Sequence, residues 1–439
     1  MRPPVAGSTC HFCIAASDPA HVHTPGDAVY TATIEPNEQA WLAMAFKVAV
    51  VGGGIGGLAA ALALLRRGIE VDVYERAPDL TEIGAGLTMS PNGSKLLLKM
   101  GLGDELEKIA VRSKKRELRL WNTGQAWTLP DQGTTSEARY GAPYVLLHRA
   151  DLHNMLAAAV RALKPDCIHT GFGCEDVHHD AHSVQATFAN GRIVVADVLV
   201  GADGVHSVVR ARLHATEKPQ FSGNVFWRGM VPMDLVPERE RDVAGSWISP
   251  TGNVTVYPVR GGRLLNFVGT VKRPDWTGHS WTEEGTKKEC LIDFEGWHEN
   301  VRSIISQIDI PYKWGSYLYQ TVAEWSLGRT TLLGDACHAM PPSLGQGAVM
   351  AIEDAVVLAR CLERDKQNPV RALKRYQAVR EPRARAVVDK SWAQSRRRHH
   401  PALALPETAV PYINEHWAPT KVSDWYDWIY EYDAETAAI

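Results

Sequence analysis

The stretch that decides the fold is KVAVVGGGIGGLAAALALLRRGIEVDVYER, which runs from Lys47 to Arg76. Residues 48–51 form a short, β-branched apolar run, which predicts a buried strand. The glycine-rich turn 52–57 follows, and the Ala- and Leu-rich run 58–65 predicts a helix. A second strand is predicted over residues 71–74. The stretch therefore predicts a strand, a glycine turn, a helix and a second strand in succession.

The turn matches the G-x-G-x-x-G pattern of dinucleotide-binding proteins. Gly52 permits the tight turn, Gly54 lets the backbone approach a pyrophosphate, and Gly57 lets the helix pack closely on the strand. The helix N-terminus offers unpaired N–H groups and a partial positive charge to the phosphates. Glu75 ends the second strand and is placed to bind a ribose hydroxyl, and Arg76 beside it is a further candidate for cofactor binding. Because Glu75 favours an unphosphorylated ribose, the expected ligand is FAD or NAD.

The composition limits the class of protein. The 439 residues predict two or three domains, and a net charge of −3 provides no strong field to attract nucleic acid or anionic membranes. The longest apolar stretch, residues 58–65, is far shorter than the ~20 residues that span a bilayer. Seven scattered cysteines do not resemble a disulfide framework. We therefore expect a cytoplasmic protein without membrane or nucleic-acid partners.

The first 43 residues differ from the rest of the chain. They contain several prolines and no apolar period, which predicts a disordered extension over residues 1–43. Two cysteines and two histidines, Cys10, Cys13, His21 and His23, are of metal-binding type. Their sequence context does not support a site, and no metal is predicted.

Two further strand–turn–helix units follow. The apolar run 193–200 predicts a buried parallel strand that leads into Gly201-Ala202-Asp203, and the strand 330–333 leads into Gly334-Asp335. In an open α/β sheet, ligands bind outside the carboxyl ends of the strands. Asp203 and Asp335 are therefore expected near the first glycine turn. The chain has no second complete glycine fingerprint, which argues that only one dinucleotide is held permanently.

The region between these units has a different character. Residues 221–317 read mostly as strands, with a helical insert around residues 283–308. This pattern predicts a separate substrate domain, which the hairpin near residue 120 is expected to join.

Three patterns, taken in order, resemble the single-component FAD-dependent aromatic hydroxylases (class A flavoprotein monooxygenases), the family that includes salicylate hydroxylase. The patterns are Gly52 to Gly57 with Glu75, Asp203-Gly204 with Ser207 and Arg210, and Gly334-Asp335 with Pro341-Pro342. The Trp227-Arg228-Gly229 and Tyr257-Pro258-Val259 segments look closest to the salicylate hydroxylase branch. The resemblance implies an α/β fold, with a Rossmann-like FAD-binding domain, an inserted β-sheet substrate domain and C-terminal helices.

The resemblance also implies domain boundaries and residue roles. The domains are an FAD-binding domain of residues 44–115, 145–215 and 318–400, a substrate-binding β domain of 116–144 and 216–317, and a tail of 401–439. At the adenosine end of FAD, the resemblance implies that Gly52, Gly54 and Gly57 bind the pyrophosphate and that Glu75 binds the ribose. Arg149 is expected near the ribityl and phosphate groups, and Asp335 at the ribityl chain. Asp203 is expected to serve both FAD and reduced nicotinamide, and Gly345, Gln346 and Gly347 are expected beneath the flavin ring.

The implied activity is hydroxylation of a small aromatic, such as salicylate or a hydroxybenzoate. Reduced nicotinamide, from NADH or NADPH, passes hydride to FAD, O2 adds at flavin C4a, and the hydroperoxide transfers OH to the ring. Three alternatives stay open: a heteroaromatic hydroxylase or epoxidase on the same fold, a flavin oxidoreductase that does not insert oxygen, and a nicotinamide-binding reductase without flavin. The chain is expected to be a monomer or homodimer.

Four residues are candidates for the catalytic site. Pro341 and Trp227 are predicted walls that exclude water, because an exposed hydroperoxide decays. His338 is a candidate base for a phenolic substrate, with a structural role as the alternative. Arg228 is a candidate cation for a substrate carboxylate, and pairing within the β sheet is its alternative.

Overall fold

The computed structural model describes residues 46–80, 85–112, 115–129, 135–214, 219–278, 283–318 and 322–439. The extension predicted over residues 1–43 lies outside these residues. The strands are β1 (Lys47–Val51), β2 (Glu70–Glu75), β3 (Gly86–Met89), β4 (Lys115–Leu120), β5 (Ala126–Leu129), β6 (Val145–His148), β7 (Ile168–Thr170), β8 (Cys174–His179), β9 (Val184–Phe188), β10 (Ile193–Ala196), β11 (Val198–Gly201), β12 (Gln220–Pro232), β13 (Val243–Ile248), β14 (Gly252–Val259), β15 (Leu264–Lys272), β16 (Glu283–Glu284), β17 (Tyr312–Leu318), β18 (Ser326–Leu327) and β19 (Thr330–Leu332).

The α-helices of the described residues alternate with these strands and then close the chain. They are α1 (Ile55–Leu65), α2 (Pro91–Lys99), α3 (Gly103–Ile109), α4 (Ser136–Tyr140), α5 (Arg149–Leu163), α6 (Val208–His214), α7 (Lys287–Asp293), α8 (Glu299–Gln307), α9 (Asp335–His338), α10 (Gly347–Arg364), α11 (Pro369–Arg398), α12 (Pro406–His416) and α13 (Pro419–Tyr430). No helix of these residues is long and apolar enough to cross a membrane.

The first sheet has the strand order β18-β19-β11-β1-β2-β7, and all neighbours are parallel except β18 and β19. Val51 pairs with Gly201, and Gly201 pairs with Leu332. The carboxyl ends of β1, β11 and β19 therefore lie side by side, which is the arrangement that a doubly wound sheet uses to bind nucleotides.

The apolar run 193–200, which was predicted as one buried strand, instead forms two strands in different sheets. Ile193–Ala196 pairs antiparallel with β9 in a separate three-stranded sheet, whereas Val198–Gly201 enters the main sheet beside β1. Asp197 separates them, and its carboxylate accepts a hydrogen bond from the Lys47 backbone N–H at 2.7 Å. The prediction was wrong here because a run of apolar residues carries no signal for a change of sheet.

The second large sheet has the order β16-β17-β12-β15-β14-β13-β4-β5, so it includes the hairpin that was expected to join this region. One of its faces packs on α7 and α8 around a core that contains Trp227, Phe267 and Phe294. The opposite face meets strand β3, where the Gly86 N–H donates to Asn266 Oδ1 at 2.7 Å. The boundaries of the FAD-binding and substrate-binding domains stay a prediction.

The C-terminal helices pack over one end of this sheet. Ile413 of α12 and Ile429 of α13 share a buried cluster with Leu120 and Ile248 of the sheet. Leu344, in the loop before α10, belongs to the same cluster. The tail therefore helps to fix a loop that the sequence predicts to lie beneath the flavin.

Candidate active site

The three strand–turn–helix junctions lie together at one edge of the first sheet. A side chain at Gly52 (φ +108°) would overlap the carbonyl oxygen of Ala202, so the first and second turns are in direct contact. Arg210 joins the second turn to the third, because its guanidinium donates to Val205 O at 3.0 Å and to Ala336 O at 2.8 Å. The junctions that the sequence predicted to converge are thus adjacent in space.

Two glycines of the first turn have different surroundings: Gly57 is tightly packed, whereas Gly54 faces open space. A Cβ atom on Gly57 would overlap the Gly52 carbonyl oxygen, so helix α1 can lie this close to β1 only with glycine there. Apart from its chain neighbours, a Cβ on Gly54 would meet no atom within 4 Å in the part of the chain that the structure describes. Since Gly54 also caps the N-terminus of α1, it presents an open, electropositive cradle. This geometry fits the pyrophosphate of FAD.

The Glu75 carboxylate is held by the backbone of two turns. Oε2 accepts from Gly53 N–H at 2.7 Å, and Oε1 accepts from Ala77 N–H at 2.9 Å. These bonds orient the carboxylate beside the glycine turn and leave its remaining lone pairs for a ribose, a role that stays a prediction. The neighbouring Arg76 is exposed.

Asp203 organises the second turn. Its Oδ1 accepts from Ser207 Oγ at 2.5 Å, and its Oδ2 accepts from the backbone N–H groups of Val208 and Val209 at 2.7 and 3.1 Å. Burial raises the pKa of Asp203, although these hydrogen bonds oppose the shift. The carboxylate therefore caps the start of α6, and its predicted contacts with FAD and nicotinamide remain predictions.

The third turn brings Asp335 close to the loop that precedes α10. Asp335 is exposed, and its Oδ1 lies 3.9 Å from where a Cβ on Gly347 would stand. Gly345 adopts φ +66°, and a side chain there would overlap Thr88 Oγ1. The loop 345–347 is therefore fitted between Thr88 and Asp335, at the N-terminus of a long helix.

The side chain of Gln346 anchors this loop in the protein interior. Its Nε2 donates to Ser90 Oγ at 2.9 Å, and its Oε1 accepts from Asn92 Nδ2 at 3.2 Å. All three side chains are buried, and Asn92 also donates to Glu353 Oε1 at 2.7 Å. The side chain of Gln346 thus fixes the backbone that the sequence predicts to lie beneath the flavin ring.

An ionic network extends this anchor between α10 and α11. Arg380 donates to Glu353 Oε2 at 2.8 Å and to Asp354 Oδ1 at 2.7 Å, and Arg383 forms a bidentate pair with Glu353. Burial alone would raise the pKa of both carboxyls, but the neighbouring cations lower the pKa of Glu353 and hold that of Asp354 at about 2. This network was not predicted from the sequence, where its only local signal is an acidic pair inside an apolar helix.

His338 belongs to the same network. Its side chain is 0% exposed, and its Nε2 lies 2.6 Å from Asp354 Oδ2. Burial opposes protonation, yet the adjacent Asp354 carboxylate raises the pKa of His338 overall. This position favours the structural alternative over the role of a catalytic base.

Trp227 and Arg228 lie on opposite faces of the second sheet, because successive strand residues alternate. Trp227 is 1% exposed in the core under α7, where its Nε1 donates to Asp293 Oδ2 at 2.7 Å. This position does not suit the predicted wall of a catalytic pocket. Arg228 lies on the same face as Met230, which pairs with Asn266, and that face is turned towards β3.

Arg228 is a buried cation in an aromatic setting. It is 6% exposed, and its guanidinium lies 5.0 Å from the ring centroid of Trp314 and 5.6 Å from that of Tyr312. Cation–π contacts of this kind hold the guanidinium in place.

The last two predicted residues begin elements near the junctions. Arg149 is the exposed first residue of α5, and its backbone N–H donates to Ala85 O at 2.8 Å. Pro341 is buried directly before the short 3₁₀ helix Pro342–Leu344. Pro341 therefore stiffens the approach to the 345–347 loop, while its predicted contact with substrate stays a prediction.

Comparison with known proteins identifies the relatives of this chain. A family model described as an FAD binding domain matches residues 45–391. The chain is 38% identical over 390 residues to 3-amino-4-hydroxybenzoate 2-monooxygenase of Streptomyces platensis, which covers 88% of this chain and 96% of that protein. It is 34% identical over 357 residues to 6-hydroxynicotinate 3-monooxygenase of Bordetella bronchiseptica, with coverage of 80% and 92%.

Comparison with a solved structure shows a similar fold. The structure of a salicylate hydroxylase substrate complex matches with a TM-score of 0.74 and 26% identity, over 89% of this chain and 96% of that one. The resemblance, the α/β fold and FAD as cofactor, all predicted from sequence, are confirmed. The chain belongs to the family of FAD-dependent aromatic hydroxylases and is an FAD-dependent monooxygenase.

Proposed function

We propose that this monooxygenase uses NADH or NADPH and O2 to hydroxylate a small aromatic acid that already carries a ring hydroxyl group. The proteins to which the chain is similar are named for 3-amino-4-hydroxybenzoate, 6-hydroxynicotinate and salicylate, and each of these compounds combines a carboxylate with a ring oxygen. In this chain, the proposal is supported by the position of Arg228. It is a buried cation on the sheet face that is turned towards the FAD-binding elements.

The residues at the sheet edge would hold the cofactor. Gly54 and the N-terminus of α1 would bind the pyrophosphate, and Glu75 and Asp335 would bind the ribose and the ribityl chain. The loop 345–347 would lie beneath the flavin ring, where the N-terminus of α10 stabilises negative charge. When bound, FAD supplies the oxidation–reduction chemistry through which one atom of O2 enters the ring of the substrate.

The second sheet would bind the substrate, in keeping with the predicted β domain of residues 116–144 and 216–317. Arg228 would pair with the substrate carboxylate, and the rings of Tyr312 and Trp314 would keep its guanidinium in position. A carboxylate held in this way leaves the opposite side of the ring free to face the flavin. Apolar residues that close around the bound substrate would exclude water from the reacting atoms.

The test is a substrate screen on the purified holoenzyme. Salicylate, 3-hydroxybenzoate and 6-hydroxynicotinate are each mixed with NADH or NADPH, and nicotinamide oxidation is followed by absorbance. We expect at least one acid to accelerate the oxidation and to yield a product that carries one ¹⁸O atom when ¹⁸O2 is supplied. An unlabelled product, or no stimulation by any hydroxylated aromatic acid, would contradict the proposal.

The role of Arg228 is tested separately with Arg228→Met. Loss of a charge-assisted hydrogen bond costs about 1.5–3 kcal/mol, so the Kd of the substrate acid should rise by roughly 10- to 150-fold. Binding of the corresponding neutral phenol should change little. The matched control is Arg273→Met, because Arg273 donates to Asp293 beside the helix-covered face at 2.9 Å. An unchanged Kd for the acid in Arg228→Met removes this residue from the site.

A further inference from the structure

His153 lies directly behind the glycine turn, and neither the cofactor contacts nor the substrate contacts proposed for this chain involve it. It belongs to α5, is 2% exposed, and its Nε2 lies 2.7 Å from the carbonyl oxygen of Gly53. A carbonyl oxygen can only accept, so Nε2 carries the proton. Nδ1 is buried and has no hydrogen-bond partner among the described residues. The one hydrogen bond of this imidazole is therefore made to the turn.

The two ends of Gly53 are held by two different side chains. Its N–H donates to Glu75 Oε2 at 2.7 Å, and its C=O accepts from His153 Nε2 at 2.7 Å. Glycine has no side chain to restrict its backbone, and it samples many conformations when nothing fixes it. The carboxylate and the imidazole together supply this missing restriction.

The carbonyl of Gly53 and the N–H of Gly54 belong to the same peptide group. Because a trans peptide is planar, its C=O and N–H point in opposite directions. No cis peptide bond occurs among the described residues. The bond from His153 to the carbonyl therefore turns the Gly54 N–H away from α5. Apart from its chain neighbours, a Cβ placed on Gly54 would meet no atom of the described residues within 4 Å, so the space beside Gly54 is open and fits a pyrophosphate.

We propose that His153 is a positioning residue for FAD: it aims the Gly54 N–H at the cofactor's pyrophosphate without touching the cofactor. An N–H that already points at the ligand need not be ordered during binding, and this preorganisation increases affinity. Without the imidazole, the Gly53 carbonyl would be buried with no donor, and the peptide would be free to rotate. The proposal concerns the affinity for FAD, so its test does not depend on which aromatic substrate the enzyme uses.

The experiment compares ligands that contain the pyrophosphate with one that lacks it. Apoprotein of the wild type and of His153→Phe is titrated with FAD, ADP and adenosine, with flavin fluorescence or calorimetry as the readout. We expect His153→Phe to bind FAD and ADP about tenfold more weakly, since a net hydrogen bond is worth about that factor, and to bind adenosine unchanged. Asn154→Ala, an exposed position on the same helix, is the matched control and should bind all three normally.

Two amide variants distinguish the loss of this hydrogen bond from a general folding defect. The Nε2 of His153→Gln can reach the Gly53 carbonyl, so FAD affinity should return to within about threefold of wild type. The shorter His153→Asn cannot reach it and should resemble His153→Phe. Equal FAD affinity in the Gln and Asn variants would overturn the proposal. Equal weakening of all three ligands in His153→Phe would also overturn it, because that pattern indicates general damage to the turn.

Discussion

Glu353 provides the sharpest test of how the loop 345–347 is supported. Its carboxylate is fully buried and accepts from Arg380 Nη1 at 2.8 Å, from Arg383 at 2.7 and 2.8 Å, and from Asn92 Nδ2 at 2.7 Å. Removing one partner of a buried ion pair costs about 3–5 kcal/mol, because the other charge is left uncompensated. Glu353→Gln keeps one acceptor oxygen, so we expect about 3 kcal/mol, the lower end of that range.

The assay is urea unfolding of the apoprotein at pH 7, followed by tryptophan fluorescence, with the slope m compared between variants. Glu363→Gln is the matched control. Glu363 is on the same helix, its side chain is 52% exposed, and its Oε2 lies 3.3 Å from Arg67 Nε. A surface pair of this kind is worth about 0–1 kcal/mol. If Glu353→Gln is no less stable than Glu363→Gln, the buried network does not support the fold.

Three further predictions concern the glycine turn and the pH dependence of stability. Gly54→Ala should leave the apoprotein as stable as wild type and weaken FAD binding by roughly 5- to 160-fold, the factor expected for overpacking by about 1–3 kcal/mol; unchanged FAD fluorescence titrations would contradict the assigned cradle. Gly57→Ala should instead reduce soluble, folded protein, because its Cβ would overlap Gly52, and a normal melting temperature would refute this. Asp354 has a pKa of about 2 in the folded chain against an ordinary 3.8, so its contribution to stability, present above pH 3.8, should be lost as the pH falls towards 2. His338 has a raised pKa, so its contribution is complete below pH 6.5 and should be lost as the pH rises through the raised value. Melting temperatures of Asp354→Asn and His338→Gln across pH should each lose the corresponding slope, and wild-type slopes in both would refute the pairing.

The glycine turn could be predicted from sequence because its determinants are local. Val48 and Val50 belong to a buried apolar strand, and Gly57 meets a steric demand from Gly52 that the spacing of the motif already expresses. The neighbouring strand and helix follow from propensity and period. Such features need no knowledge of what else packs nearby.

The face on which a strand residue lies could not be predicted in the same way. Alternation placed Trp227 and Arg228 on opposite faces, but the sequence does not say which face is covered by helices. That depends on α7 and α8, which lie much further along the chain and close over Trp227. Both residues were therefore treated as site candidates, and only the folded chain separates a core tryptophan from a cation on the face that is turned towards β3.

The side chains that hold the glycine turn 52–57 and the loop 345–347 are the least predictable part, for one physical reason. Both loops are rich in glycine, which allows a ligand to approach the backbone closely but provides nothing to fix that backbone. The restriction must then come from polar side chains outside the loops: Glu75 and His153 for the first turn, and Ser90 and Asn92, through Gln346, for the other. Each pairing joins residues that are distant in the chain or that no short motif connects. A glycine motif therefore predicts where FAD binds, whereas the rigidity of the site depends on buried partners that only the tertiary structure brings into contact.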